Sequence, residues 1–146
     1  MDEGRRPPTP SRTLALALAA GAHAQPQPQS RPLDCSKAAT QTDMSMCADQ
    51  AYRKSDADLN AAYKEINARL KDDKTAATQF HAAQRAWLSF RDAECAFAAG
   101  GTSGSSAYPM AQSACLDKLT QARTKELRAY LECEEGDLTC PVPGKP

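Results

Sequence analysis

The residues of this chain best equipped for chemistry are its six cysteines, Cys35, Cys47, Cys95, Cys115, Cys133 and Cys140. As thiolates they would attack electrophiles or ligate a soft metal; as pairs they would crosslink the chain. The gaps between them are 11, 47, 19, 17 and 6 residues, and His81 is the only histidine in their company. Zinc sites draw on C-x-x-C pairs or Cys/His clusters, so no metal and no other cofactor is expected. An even cysteine count in an oxidising compartment implies three disulfides, of 15 possible connectivities. The pairing expected here joins sequence neighbours: Cys35–Cys47, Cys95–Cys115 and Cys133–Cys140. No thiolate nucleophile is then left over.

Other groupings offer less. Asp92 and Glu94 supply two acids of the kind a glycoside hydrolase uses, but two residues apart on a helix they point in different directions. His81, beside Phe80 on an otherwise polar face, reads as a solvated surface residue without convergent groups to make it a base. Trp87, Phe90, Arg91 and Glu94 share one helix face, which favours packing over a site. Arg91 and Glu94 are spaced to pair, with Asp58 or Asn60 completing a polar network around the charge. The expectation is therefore a protein that binds rather than catalyses. Its best contact element is the run Gly100 to Tyr108, where Thr102, Ser103, Ser105 and Ser106 offer hydroxyls and Tyr108 an aromatic anchor. The acidic run Glu132, Glu134, Glu135 and Asp137 could steer a basic partner.

These residues must be positioned by helices. Val142 is the only valine and Ile66 the only isoleucine, a composition hostile to sheets. No Gly or Pro interrupts the chain from Leu33 to Ala99, a stretch rich in helix formers. A first helix is expected over Thr42 to Leu70, with Ala48, Tyr52, Ser55, Leu59, Ala62, Ile66 and Leu70 on one stripe and Thr40 as cap. A second runs from Thr75 to Ala99, capped by an Asp of the Lys71–Lys74 turn, its stripe being Ala76, Phe80, Ala83, Trp87, Phe90, Glu94 and Phe97. A third runs from Pro109 to Cys133 on Leu116, Leu119, Arg123, Leu127 and Tyr130. The fold class is all-α, a small antiparallel bundle of about three helices. With only eight aromatics (one Trp, four Tyr, three Phe), a core of Trp87, Phe80, Phe90, Tyr63, Leu59 and Leu119 is lean, and disulfide staples make up the shortfall.

Arg5, Arg6 and Arg12, the apolar stretch Leu14 to Ala20 and the Ala22-His23-Ala24 motif have the form of a secretory signal cleaved after residue 24. Residues 25–33 read as a Pro/Gln-rich flexible leader, 34–133 as the helical domain and 134–146 as a C-terminal tail. Cys35 follows Arg-Pro-Leu-Asp rather than small residues, so lipidation is not expected. The product belongs in the periplasm or outside the cell. Basic and acidic residues balance at 18 each, which argues against a nucleic-acid partner. No apolar run is long enough to span a membrane.

In order along the chain stand Cys35, Thr40-Gln41-x-Asp43, Cys47, Asp58-Leu59-Asn60-x-x-Tyr63, Ala83-Gln84-Arg85-Ala86-Trp87 and Phe90-Arg91-Asp92-x-Glu94-Cys95. Gly100-Gly101-Thr102, Pro109-Met110, Cys115, Leu119-Thr120-x-x-Arg123-Thr124 and Glu126-Leu127 follow. This pattern, from Asp34 to Leu131, resembles the bacterial lysozyme-inhibitor LprI N-terminal domain family. The resemblance implies a secreted, disulfide-bonded helical domain that binds and inhibits lysozyme; occlusion of the enzyme's cleft, without chemistry of its own, is the expected means. The alternative is a non-catalytic envelope module that binds another envelope protein. The chain departs from the family in lacking a lipidation site and in carrying Cys133 and Cys140 at or beyond the usual domain end.

Overall fold

The computed structural model describes residues 33–134 and 136–144; the expected signal segment and nearly all of the leader lie outside them. Three helices follow a short 3-10 turn at Cys35–Lys37: α1 (Gln41–Arg69), α2 (Lys74–Ala99) and α3 (Tyr108–Leu131). There is no strand among the described residues. The ends form where the caps lie. Thr40 accepts from the Asp43 amide at the start of α1, and Asp73 accepts from the Ala76 amide at the start of α2. Pro109 sits in the first turn of α3, where its missing N–H costs nothing.

The four residues between α1 and α2 turn the chain back on itself, so the succession is up, down, up. α1 and α3 consequently run in the same direction. Gln41 lies 3.6 Å from the Met110 sulfur at one end. At the other, the Arg69 guanidinium donates to the Leu131 carbonyl at 2.8 Å. These two helices are the most closely packed pair in the bundle. Small side chains allow it: Ser55 and Ala62 on α1, and Thr120 and Thr124 on α3, are all buried. The hydroxyls need no distant partner, because Ser55 donates to the Tyr52 carbonyl and Thr124 to the Thr120 carbonyl within their own helices.

The apolar core sits toward the α1–α2 turn. Leu59, Ala62, Ile66, Leu70, Leu127 and Val142 are buried, with Tyr63, Phe80, Trp87, Tyr130 and Leu131 packed against them. Val142 comes from the expected C-terminal tail, which returns to fill the core; Cys133–Cys140 closes that return. The other two crosslinks are Cys35–Cys47 and Cys95–Cys115, so all three sequence-neighbour pairings are present and no described cysteine is free.

One expected stripe is out of phase. On α2 the buried residues are Gln84, Arg91, Cys95 and Ala99, not Ala83, Phe90, Glu94 and Phe97. Cys95 must face α3 to reach Cys115, and at about 100° per residue that turns Arg91 and Ala99 inward and Phe97 outward. Phe90 is 55% exposed and Phe97 82% exposed, so neither belongs to the core.

The lean core makes the staples costly to lose. Cys95→Ala/Cys115→Ala opens a loop with a sequence separation of 20 and is expected to destabilise by about 3 kcal/mol in urea unfolding. Ile66→Ala, at a site fully shielded from solvent, is expected to cost about 2–5 kcal/mol in the same assay.

Candidate functional site

The motif residues gather at the waist of the bundle around one guanidinium. Arg91 is 6% exposed and meets all three helices. From α2, Asp92 accepts from its Nε and Nη2, both at 2.9 Å. From α1, Asp56 lies 3.6 Å from Nη1, and from α3 the Thr120 hydroxyl accepts at 3.5 Å. The guanidinium carbon stands 5.3 Å from the Trp87 ring centroid and 5.6 Å from that of Tyr52, a cation–π arrangement on two sides. A second guanidinium, Arg123, approaches the Trp87 ring at 6.0 Å and donates to Gln84 at 3.2 Å and Glu126 at 2.9 Å. No buried side-chain nitrogen or oxygen among the described residues lacks a partner.

This network corrects the expected one. Glu94 is exposed and makes no ion pair among the described residues. The partner on α1 is Asp56, one turn beyond Tyr52 on the same side. Asp58, two residues on, points elsewhere, between Lys54 at 3.6 Å and Arg128 at 3.8 Å. Asn60 acts indirectly, donating to Asp56 at 3.0 Å. Tyr63 belongs to the core edge, its ring 5.3 Å from that of Phe80. His81 is half-buried rather than solvated, 2.6 Å from the Asn67 amide oxygen and tilted against Tyr63. Sequence reasoning gave Tyr52 only a packing place and gave Asp56, Gln84, Thr120 and Arg123 no part in this network. The four-residue steps from Arg91 to Cys95 to Ala99 were the signal that could have fixed its phase.

With partners drawn from all three helices, this cluster braces the scaffold, and its carboxylates alone reach well into solvent. No three or more His, Cys, Asp or Glu gather into a metal-holding group among the described residues. Contact surfaces lie elsewhere. An open groove of about 580 Å³ between α1 and α3 is lined by polar residues such as Lys54, Asp58, Lys125 and Arg128. It is concave. The convex element is the corner joining α2 to α3. After a 3-10 turn at Gly100–Thr102, Gly104 takes a φ of 77°, which only glycine adopts without strain. The Thr102 hydroxyl donates to the Ala99 carbonyl and the Ser105 hydroxyl to the Thr102 carbonyl, each at 2.7 Å. Those two side chains therefore shape the corner. Ser103 and Ser106 are exposed, and Tyr108 is half-buried at the start of α3.

The Cys95–Cys115 crosslink grips both sides of this corner. Both cysteines lie within a match to the lysozyme inhibitor LprI family, which covers residues 35–127. The chain belongs to that family. It is also 40% identical over 113 residues to an uncharacterized protein of Rhizobium meliloti (strain 1021), an alignment covering 70% of this chain and 81% of the relative. A crystal structure of a DUF1311 family protein from Pseudomonas putida KT2440 is similar in fold, with a TM-score of 0.56 and 26% identity. That similarity covers 63% of this chain and 93% of the other. The LprI match ends just after the waist residues of α3, so the Cys133–Cys140 closure and Val142 extend beyond it.

The waist has a spectroscopic consequence. Burial raises the Tyr52 phenol above its ordinary pKa of 10.0, with Asp56 and Asp92 adding to the shift and Arg91 opposing it. A raised pKa means the neutral phenol is favoured by folding: this stabilisation is complete below the ordinary value and is lost as pH climbs through the folded one. Alkaline titration followed by tyrosinate absorbance is expected to show a late-titrating tyrosine that Tyr52→Phe removes.

Proposed function

We propose that this chain is exported and that it inhibits lysozyme by occluding the enzyme's cleft, without chemistry of its own. Membership of the lysozyme inhibitor LprI family supports the partner. Three crosslinks support an oxidising compartment. No described helix is long and apolar enough to cross a membrane.

The observation that carries the mechanism is the chemistry of the α2–α3 corner. From Cys95 to Leu116 the chain holds no charged residue. Glycosidases of the lysozyme kind work with two carboxyl groups facing each other across the scissile bond. An uncharged, convex element rich in backbone and hydroxyl groups enters such a cleft without setting like charges against those acids. The disulfide at its base and the internal hydrogen bonds fix its shape beforehand, which lowers the entropy lost on binding. The α1–α3 groove, itself concave, is the wrong shape for filling another protein's cleft.

A cell-wall lysis assay with the purified, oxidised mature protein tests this reading. Inhibition is expected, and Ser103→Lys/Ser106→Lys is expected to weaken it about tenfold or more while leaving the melting temperature unchanged. Undiminished inhibition by that variant would remove the corner from the mechanism. Absence of inhibition in the wild type against every lysozyme tried would favour the alternative, an envelope module for another partner.

A further inference from the structure

Two features of the structure remain unused by the bundle and by the corner. The first is the outer flank of α2. Ala83, Ala86, Phe90, Ala93, Glu94 and Phe97 are all exposed, and at about 100° per residue they fall along one side of the helix. A strip holding two phenylalanines, three alanines and one carboxylate is a mainly apolar surface that is left to solvent. It leads directly into the Gly100 corner.

The second is a segregation of charge that the topology creates. Because α1 and α3 are parallel and α2 runs against them, the start of α1, the end of α2 and the start of α3 share one pole. No Lys or Arg occurs from Ala38 to Tyr52, nor from Asp92 to Asp117. Those stretches carry Asp43, Asp49, Asp92, Glu94 and Asp117. Arg53 offsets Asp49 and Arg91 offsets Asp92, while Asp43, Glu94 and Asp117 have no ion pair among the described residues. Lys37, held at this pole by Cys35–Cys47, is offset by Asp34 at 3.3 Å, and Lys118 follows Asp117. The uncharged tip is thus set inside a collar with an excess of acid, in a chain whose overall charge is balanced. The acidic residues after α3 cannot contribute here. The 24 residues of α3 place Glu132 and Glu134 about 36 Å from the corner, at the other pole.

We infer that Phe90 and Phe97, with Glu94 between them and the collar around the tip, form the affinity surface for a lysozyme with a basic rim; this rests on the reading in the preceding subsection. An enzyme that works on an anionic wall polymer gains from a positive field around its cleft, and the collar is complementary to such a rim. The tip enters the cleft, and the phenylalanines anchor beside it. Charge favours this occupant over a second copy of the chain, since two such poles would set acid against acid. The flank alone, Ala83 to Phe97, is about 21 Å long and one helix wide, about 200 Å² in outline, against about 800 Å² buried per partner in a stable complex. A partner that takes the flank, the corner and the start of α3 together has the larger surface it needs.

The test measures inhibition and association kinetics of the full, oxidised protein against a basic animal-type lysozyme, with sedimentation and thermal melting on every variant. Phe90→Ser and Phe97→Ser are each expected to weaken inhibition about tenfold or more at unchanged melting temperature. Glu94→Lys/Asp117→Lys is expected to slow association about tenfold at low salt and to flatten its salt dependence. Glu132→Gln/Glu134→Gln is expected to leave both unchanged. An active wild type whose phenylalanine variants inhibit equally well would overturn this assignment and leave the inhibitor reading standing. So would a wild-type dimer that Phe97→Ser makes monomeric without loss of inhibition, which would give the face to a second copy. A wild type inert against lysozyme overturns the inhibitor reading itself, and this one with it.

Discussion

Everything in this bundle is arranged around a guanidinium that has left water. A buried charge is tolerated only when each of its faces and donors is met, and Arg91 draws its partners from all three helices: Tyr52 and Asp56 from α1, Trp87 and Asp92 from α2, Thr120 from α3. Satisfying it fixes the rotation and height of every helix at one level. A purely apolar waist of Ala and Leu would tolerate sliding; this one does not. The two aspartates are partly exposed, so the cluster opens to solvent on its acid side and avoids the full desolvation of an enclosed ion pair.

The packing asymmetry follows from side-chain size. Ser55, Ala62, Thr120 and Thr124 let α1 and α3 approach closely, whereas Trp87, Phe80 and the two arginines fill the space beneath α2. The second helix rides on large side chains, which leave an open pocket of about 250 Å³ against α1 beside Gln84 and His81, and its outer flank is uncovered. An apolar outer flank on a helix whose inner face is partly polar is a reversal of the usual amphipathic pattern. Gln84 and Arg91 hold α2 in place, and Phe90 and Phe97 stay exposed; on the proposed reading, that reversal separates stability from recognition.

How much of this was legible in the sequence depends on which signal dominates locally. The three helices, the cap at Thr40, a cap from the Asp72-Asp73 pair, and the neighbour pairing of the cysteines were readable, because breakers, capping residues and short gaps act locally. The α1 stripe was readable too, since its inward line from Leu59 to Leu70 is also its most apolar. The α2 stripe was not, because hydrophobicity placed Phe90 and Phe97 inside while the true inward line carries Gln84 and Arg91. Only the geometric demand of Cys95 toward Cys115 settles the phase, and it needs the third helix to be in place. Asp56 was missed in favour of Asp58 for a related reason: both are acids on α1, and only the rotation of that helix tells which faces Arg91. Val142 could not be found by periodicity at all, since it lies in irregular chain and reaches the core through the Cys133–Cys140 return.

The Cys95–Cys115 bond joins the two halves of the story. It is placed one turn beyond Arg91, so the waist and the corner are consecutive layers of one rigid column, and whatever orients Arg91 also orients Gly100 to Tyr108. A loop closed only by its own hydrogen bonds would sample several shapes and lose that freedom on binding. Here the crosslink removes it during folding, in the same step that compensates for a core of few aromatics. The same covalent link therefore supports stability and, on the proposed reading, affinity. The span between the two cysteines carries no charge, so its shape rests on the crosslink and on internal hydrogen bonds rather than on ion pairs.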